Sequence, residues 1–224
     1  MNIKASLVTA FTAIGIITSA NAATIGAGVG TLLLPGANNQ VDTGTSGSND
    51  QSRQNLDETF FVTLPAGTYT ATSWQYNAGQ AGGVTPYLAI LTSPDNYQII
   101  AVGNLQTITG GFGVDTTVAF GGSDTFTLGS ATNIYAGIVN PMQIGSQNPI
   151  RTNVNSGSTV DHDNNFDGLM SPAVLGGPVN GFGHANLARS YAFSVEVVPV
   201  PEPTAAIFSA FGLAGLLFGT RRRR

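Results

Sequence analysis

The densest group of side chains able to do chemistry is Asp161-His162-Asp163-Asn164-Asn165-Phe166-Asp167-Gly168. Its oxygens recur at every second residue, at Asp161, Asp163, Asn165 and Asp167. Hard Ca²⁺ takes six to eight oxygen ligands and often draws them from one short loop with this alternation, so calcium is the metal these residues would suit. Two positions depart from a twelve-residue calcium loop. Phe166 stands where the turn glycine belongs, and Pro172 where a bidentate glutamate would close the shell. Without a metal, the same residues make a solvated loop of Asx turns. His162 is the remaining ligand or base of the cluster.

Other chemistry is sparse. His162 and His184 are the only histidines, and no G-x-S-x-G elbow presents a serine nucleophile. Zinc would need three or four His, Cys or carboxylate ligands, yet H-E-x-x-H does not occur and the chain has no cysteine. No catalytic residue is assigned, and the chain reads as a non-enzyme. Paired carboxylates for glycoside hydrolysis stay open, because such pairs lie far apart in sequence. The glutamates are Glu58 beside a strand start, Glu196 on the polar face of a strand, and Glu202 near the C-terminus. Gly26-x-Gly28-x-Gly30 and Gly111-x-Gly113 lack the strand-to-helix context of a nucleotide loop. Trp74 with Tyr69, Tyr76 and Tyr87 has two readings, a sugar-stacking platform or core aromatics at strand spacing.

The elements that must position these residues are strands. Tyr191, Phe193, Val195 and Val197 alternate with Ala192, Ser194 and Glu196, the pattern of a half-buried strand. Val114, Thr116, Val118 and Phe120 alternate with Asp115 and Thr117, and Phe60, Val62 and Leu64 repeat the pattern. Tyr87 to Leu91, Tyr97 to Val102, Thr125 to Leu128 and Ile134 to Val139 are short apolar runs bounded by Gly, Pro, Asn or Asp. Over Tyr69 to Tyr76 the phase moves between Tyr69-x-Ala71 and Trp74-x-Tyr76, which predicts a bulge. Turn residues divide the runs at Leu64-Pro65-Ala66-Gly67, Gly82-Gly83, Ser93-Pro94-Asp95-Asn96, Gly110-Gly111 and Gly121-Gly122. No repeat of fixed period marks a solenoid or propeller. About eight strands without crossover helices predict an all-β fold, an antiparallel β-sandwich of jelly-roll type over residues 57–199. Asp57 to Tyr76 is faintly similar to small secreted jelly-roll modules appended to bacterial proteases, and that resemblance implies the same architecture. Residues 23–56 read as a flexible polar lead-in, and Pro141 to Arg189 as a second long loop.

Composition narrows the partners. Only 8 Lys+Arg and 12 Asp+Glu occur in 224 residues, 9% against a usual ~25%. Between residues 23 and 200, eleven acids and three bases leave a formal net charge of −8 and no lysine. Such a surface repels polyphosphate, so no nucleic-acid partner is expected.

Both ends read as addresses. Over residues 1–22, Lys4 is followed by an uncharged apolar run from Ala5 to Ile17, and Ala20-Asn21-Ala22 ends in the small residues that signal peptidase reads. Cleavage is expected before Ala23. At the other end, Ala205 to Gly219 is apolar or small throughout and Arg221, Arg222, Arg223 and Arg224 follow. As a helix, Thr204 to Thr220 reaches about 25 Å, a little short of a ~30 Å hydrocarbon core, so thinning or snorkelling arginines would let it span. The arginines stay on the cytoplasmic side, and the preceding domain faces outwards.

Val200-Pro201-Glu202-Pro203-Thr204 stands directly before that segment. The order of a Pro-Glu-Pro motif, a short hydrophobic helix and a basic tail over residues 200–224 resembles the PEP-CTERM sorting signal of exported bacterial proteins. The resemblance implies processing by an exosortase-like membrane enzyme near the motif, in a bacterium that makes exopolysaccharide or a related surface matrix. It also implies transient inner-membrane anchoring, then release to the cell surface or extracellular matrix. Two prolines disfavour helix around Glu202 and keep the peptide extended for a protease. Small residues at Ala205, Ser209, Gly212, Gly215 and Gly219 form a stripe where a partner helix could approach. The expected function is that of an exported surface or matrix protein. A secreted carbohydrate-active enzyme or lectin-like module with the same address is the alternative.

Overall fold

The computed structural model describes residues 21–26, 39–40, 51–56, 60–79, 81–94, 96–109, 113–140, 150, 152–153, 162–167, 173–179 and 190–201. Among them sixteen strands and no helix occur. In chain order these are β1 (Ala23–Ile25), β2 (Asn39–Gln40), β3 (Gln51–Leu56), β4 (Val62–Leu64), β5 (Gly67–Asn77), β6 (Gly82–Ser93), β7 (Asn96–Val102) and β8 (Gln106–Ile108). They continue as β9 (Asp115–Ala119), β10 (Thr125–Leu128), β11 (Thr132–Asn140), β12 (Thr152–Asn153), β13 (His162–Asp167), β14 (Pro178–Val179), β15 (Ser190–Tyr191) and β16 (Phe193–Pro199). The described residues are all-β, and the pairings among them are antiparallel. Residues Asn21–Pro201 make one compact unit.

Two sheets dominate. The first has the order β1-β16-β5-β10, with β9 on the same edge of β5 as β10. The second has the order β13-β3-β11-β6-β7-β14, with β4 also on β11 and β8 on β6. A small third sheet joins β15, β12 and β2. One apolar core draws on both large sheets. Ala71, Trp74, Phe193, Val195 and Val197 come from the first, and Leu88, Ala101, Ile134, Ala136 and Ile138 from the second. The opposite face of the second sheet is also apolar, with Leu56, Tyr87, Ala89, Tyr97, Ile99, Tyr135 and Val179 in a second cluster. Burial on both faces explains why Tyr87 to Leu91 reads as a continuous run and not as an alternation.

The phase change in β5 is a bulge. Glu196 pairs with Ser73 and Val197 with Ala71, so Thr72 is the extra residue. Tyr69 and Ala71 before it, and Trp74 and Tyr76 after it, all turn into the core. The same edge of β5 takes β10 over Gly67 to Thr70 and β9 over Ser73 to Asn77. Between β9 and β10 the chain turns at Gly121 and Gly122, whose φ values of 63° and 67° suit glycine.

Several expectations need correction. Gly82-Gly83 is not a turn but the start of β6, paired with Thr107 and Ile108 of β8. Pro86 sits inside β6, where proline reads as a boundary. It is tolerated because β6 changes partner there, from β8 at Val84 to β7 at Tyr87. The polar lead-in contains β3, an interior strand of the second sheet, and the expected loop from Pro141 contains β12, β13 and β14. Val114, expected on the buried phase of its strand, is 57% exposed just before β9. Gly110-Gly111 and the expected terminal helices lie outside the described residues.

Candidate functional site

The outward phase of the first sheet is lined with hydroxyls. On β5 these are Thr68, Thr70, Thr72 and Ser73, and on β10 Thr125 and Thr127. Thr68 and Thr127 share a hydrogen bond at 3.1 Å, and Thr70 and Thr125 one at 3.3 Å, so the pairs form rungs between the strands. Their β-branched carbons suit a half-buried pleated surface. Near the middle of this face, Thr24 of β1, Glu196 of β16 and Ser73 of β5 occupy one row across three strands. Together with Gln75 and Ser194 they line a pocket of about 70 Å³, room for a couple of waters or one ligand hydroxyl group.

Glu196 is the acceptor of this pocket. The Ser73 hydroxyl donates to its Oε2 at 3.0 Å, and the Thr72 hydroxyl donates to its backbone oxygen at 3.4 Å. The bulge brings these two neighbours to one side of β16. Ser194 is only 3% exposed although its strand phase points outward. The arrangement offers a carboxylate, an amide and several hydroxyls at short range, which is hydrogen-bonding chemistry suited to a hydroxyl-bearing ligand.

The aromatic group is core. Trp74 and Tyr87 are fully buried, and Tyr69 and Tyr76 nearly so. Trp74 and Tyr76, two residues apart on one face, bring their ring centroids to 4.5 Å, and Tyr69 stacks on Phe126 at 5.7 Å. The sugar-stacking reading therefore fails. Burial pushes the phenols of Tyr69 and Tyr76 above their ordinary pKa, and for Tyr76 a hydrogen bond with Thr116 offsets part of the rise. The Tyr69 hydroxyl donates to the Pro65 carbonyl at 3.0 Å, which ties the β4–β5 turn to the core. The Trp74 Nε1–H is buried without a partner.

The residues singled out for calcium are not arranged as a curled loop over their described part. Asp163, Asn165 and Asp167 lie in β13, with their backbone positions opposite Asn55, Arg53 and Gln51 of β3. Extended pairing replaces the Asx-turn loop because β3 supplies a partner with six registered positions. Asp161 lies outside the described residues, and His162 pairs opposite Leu56. Among the described residues no three His, Cys, Asp or Glu side chains come together to hold a metal.

Of the residues expected at the two processing sites, Ala22 is exposed, Ala23 opens β1, and Val200 and Pro201 are exposed beyond β16. The Val200 N–H donates to the Thr68 carbonyl at 2.8 Å. Ala20, Glu202, Pro203, Thr204 and Arg221 to Arg224 lie outside the described residues. Among the described residues no helix is long and apolar enough to cross a membrane. Thr24, Ser73, Gln75 and Ser194 were not legible as site residues. Glu196 and Ser194 stand in the polar phase of one sequence strand, but their neighbours come from strands far away in the chain.

No known protein family, curated protein or solved structure matches the chain.

Proposed function

We propose that the chain is an exported bacterial surface or matrix protein, a jelly-roll-like β-sandwich carried by two terminal addresses. Residues 1–22 direct export and are removed by signal peptidase. Residues 200–224 hold the precursor in the membrane until an exosortase-like enzyme cuts near Pro201–Thr204. The single observation that carries the reading is the order at the C-terminus: Pro201-Glu202-Pro203, the apolar run Ala205 to Gly219, then four arginines. Charge orientation supports it, because Lys4 and Arg221 to Arg224 both favour the cytoplasmic side and leave the intervening residues outside. Two sheets sharing one core are consistent with a sandwich. The hydroxyl-rich face around Glu196 supports contact with a polysaccharide matrix, and no catalytic role is assigned to it.

Pulse-chase with membrane fractionation tests this reading. A membrane-held precursor should chase into a shorter form outside the cell. Replacing Arg221 to Arg224 with glutamine should weaken retention before processing, since the charges that resist translocation are gone. A wild-type chain that stays cytoplasmic throughout the chase would sink the proposal.

A further inference from the structure

Both chain exits leave the fold at one end of one sheet. Ala23 lies opposite Val197, so the entering and the leaving chain run on neighbouring strands about 4.8 Å apart. Asn21, Ala22, Val200 and Pro201, just outside those strands, are exposed. Two turns share this end: Pro65-Ala66 between β4 and β5, and Gly129-Ser130-Ala131 between β10 and β11. Leu128 pairs with Gly67, and Thr132 with Leu64, which places the two turns side by side. None of these exit or turn residues is charged. The carboxylates described with their side chains lie elsewhere. Asp115 is opposite Asn77 at the far end of β5, the Asp124 carbonyl accepts from the Ala71 N–H, and Glu196 is opposite Ser73.

The tethers at this end are short. Residues 18–22 separate the apolar run ending at Ile17 from β1, and residues 200–204 separate β16 from the run beginning at Ala205. Five extended residues span at most about 18 Å. Two tethers rooted on adjacent strands therefore hold the same end close to any membrane that both runs enter, and they restrict tumbling.

We propose that in the doubly anchored precursor this uncharged end of the first sheet faces the lipid surface, with the Asn77–Asp115 end pointing away. The inference rests on the reading that both terminal runs enter the membrane. Electrostatics acts in the same direction. Anionic headgroups repel the −8 charge of residues 23–200, and this end nearest the lipid keeps Asp115, Asp124 and Glu196 further out along a field that decays over about 8–10 Å, with Glu202 of the tether the one carboxylate left close to it. Both cutting sites then face one surface, within reach of membrane enzymes without unfolding of the sheet.

The chain has no cysteine, so single cysteines report position. Full-length precursor, kept uncleaved at the N-terminal site by Ala20→Tyr and Ala22→Tyr and at the C-terminal site by expression in cells lacking the exosortase-like enzyme, would carry Ala66→Cys or Ser130→Cys at the near end, or Val114→Cys at the far end. Each is labelled from outside with a bulky, membrane-impermeant polyethylene-glycol maleimide, and again after detergent solubilisation. Labelling at 66 and 130 should be slowed several-fold in membranes relative to detergent, while labelling at 114 is unchanged. Equal rates at all three positions in membrane-bound protein overturn the proposed orientation and leave the anchoring reading intact. Precursor found only in the soluble fraction overturns the anchoring reading, and the orientation with it.

Discussion

Tyr87 and Gly137 show how one residue sets the terms for its neighbour. They are directly paired across β6 and β11, and a Cβ added at Gly137 would collide with the Tyr87 ring. Tyr87 is fully buried, so any shift of its ring disturbs the side chains packed around it. Glycine here gives an aromatic side chain a seat on the sheet. Gly137→Ala should therefore cost about 1–3 kcal/mol through overpacking. Gly129→Ala, where a Cβ meets nothing within 4 Å, should be close to neutral. Chemical denaturation followed by the single tryptophan, Trp74, reads both, since its full burial makes its emission sensitive to unfolding. Equal midpoints for the two variants would contradict this account of the pair.

At the scale of elements, the strands with strong alternation or compact apolar runs were legible, and so was the bulge at Thr72. Their signal is local: the side-chain period of two survives in β16 and β10, and the phase error in β5 is visible without a partner strand. Polar strands were not legible. Gln51–Leu56 and His162–Asp167 have compositions that favour loops, and they are strands because each completes the other's ladder beside β11. Pairing is a property of two distant segments, and one segment cannot announce it. The same reason hid the row Thr24–Glu196–Ser73. The pairing of β13 with β3 also makes a prediction about calcium. Curling this segment around an ion would give up its six-position pairing with β3, so millimolar calcium should leave the melting temperature unchanged. A calcium-dependent rise abolished by Asp163→Ala would show that the segment curls into a metal loop, since binding to the folded state alone stabilises by mass action.

The whole molecule, which has no cysteine, joins the compact unit Asn21–Pro201 to two ends that we propose are addresses. In the first sheet, β1 follows the expected signal-peptide cut and β16 precedes the proposed sorting motif, and the two are neighbours. A domain closed in this way can be released by two cuts without losing a strand. Ala23 keeps its place opposite Val197, and β16 ends at Pro199. Mass spectrometry of both termini of the mature protein, purified from the cell surface and the medium, tests the central claim most directly. The account predicts an N-terminus at Ala23 and a C-terminus between Pro201 and Thr204. An abundant surface form that begins at Met1 or retains Arg224 would contradict it.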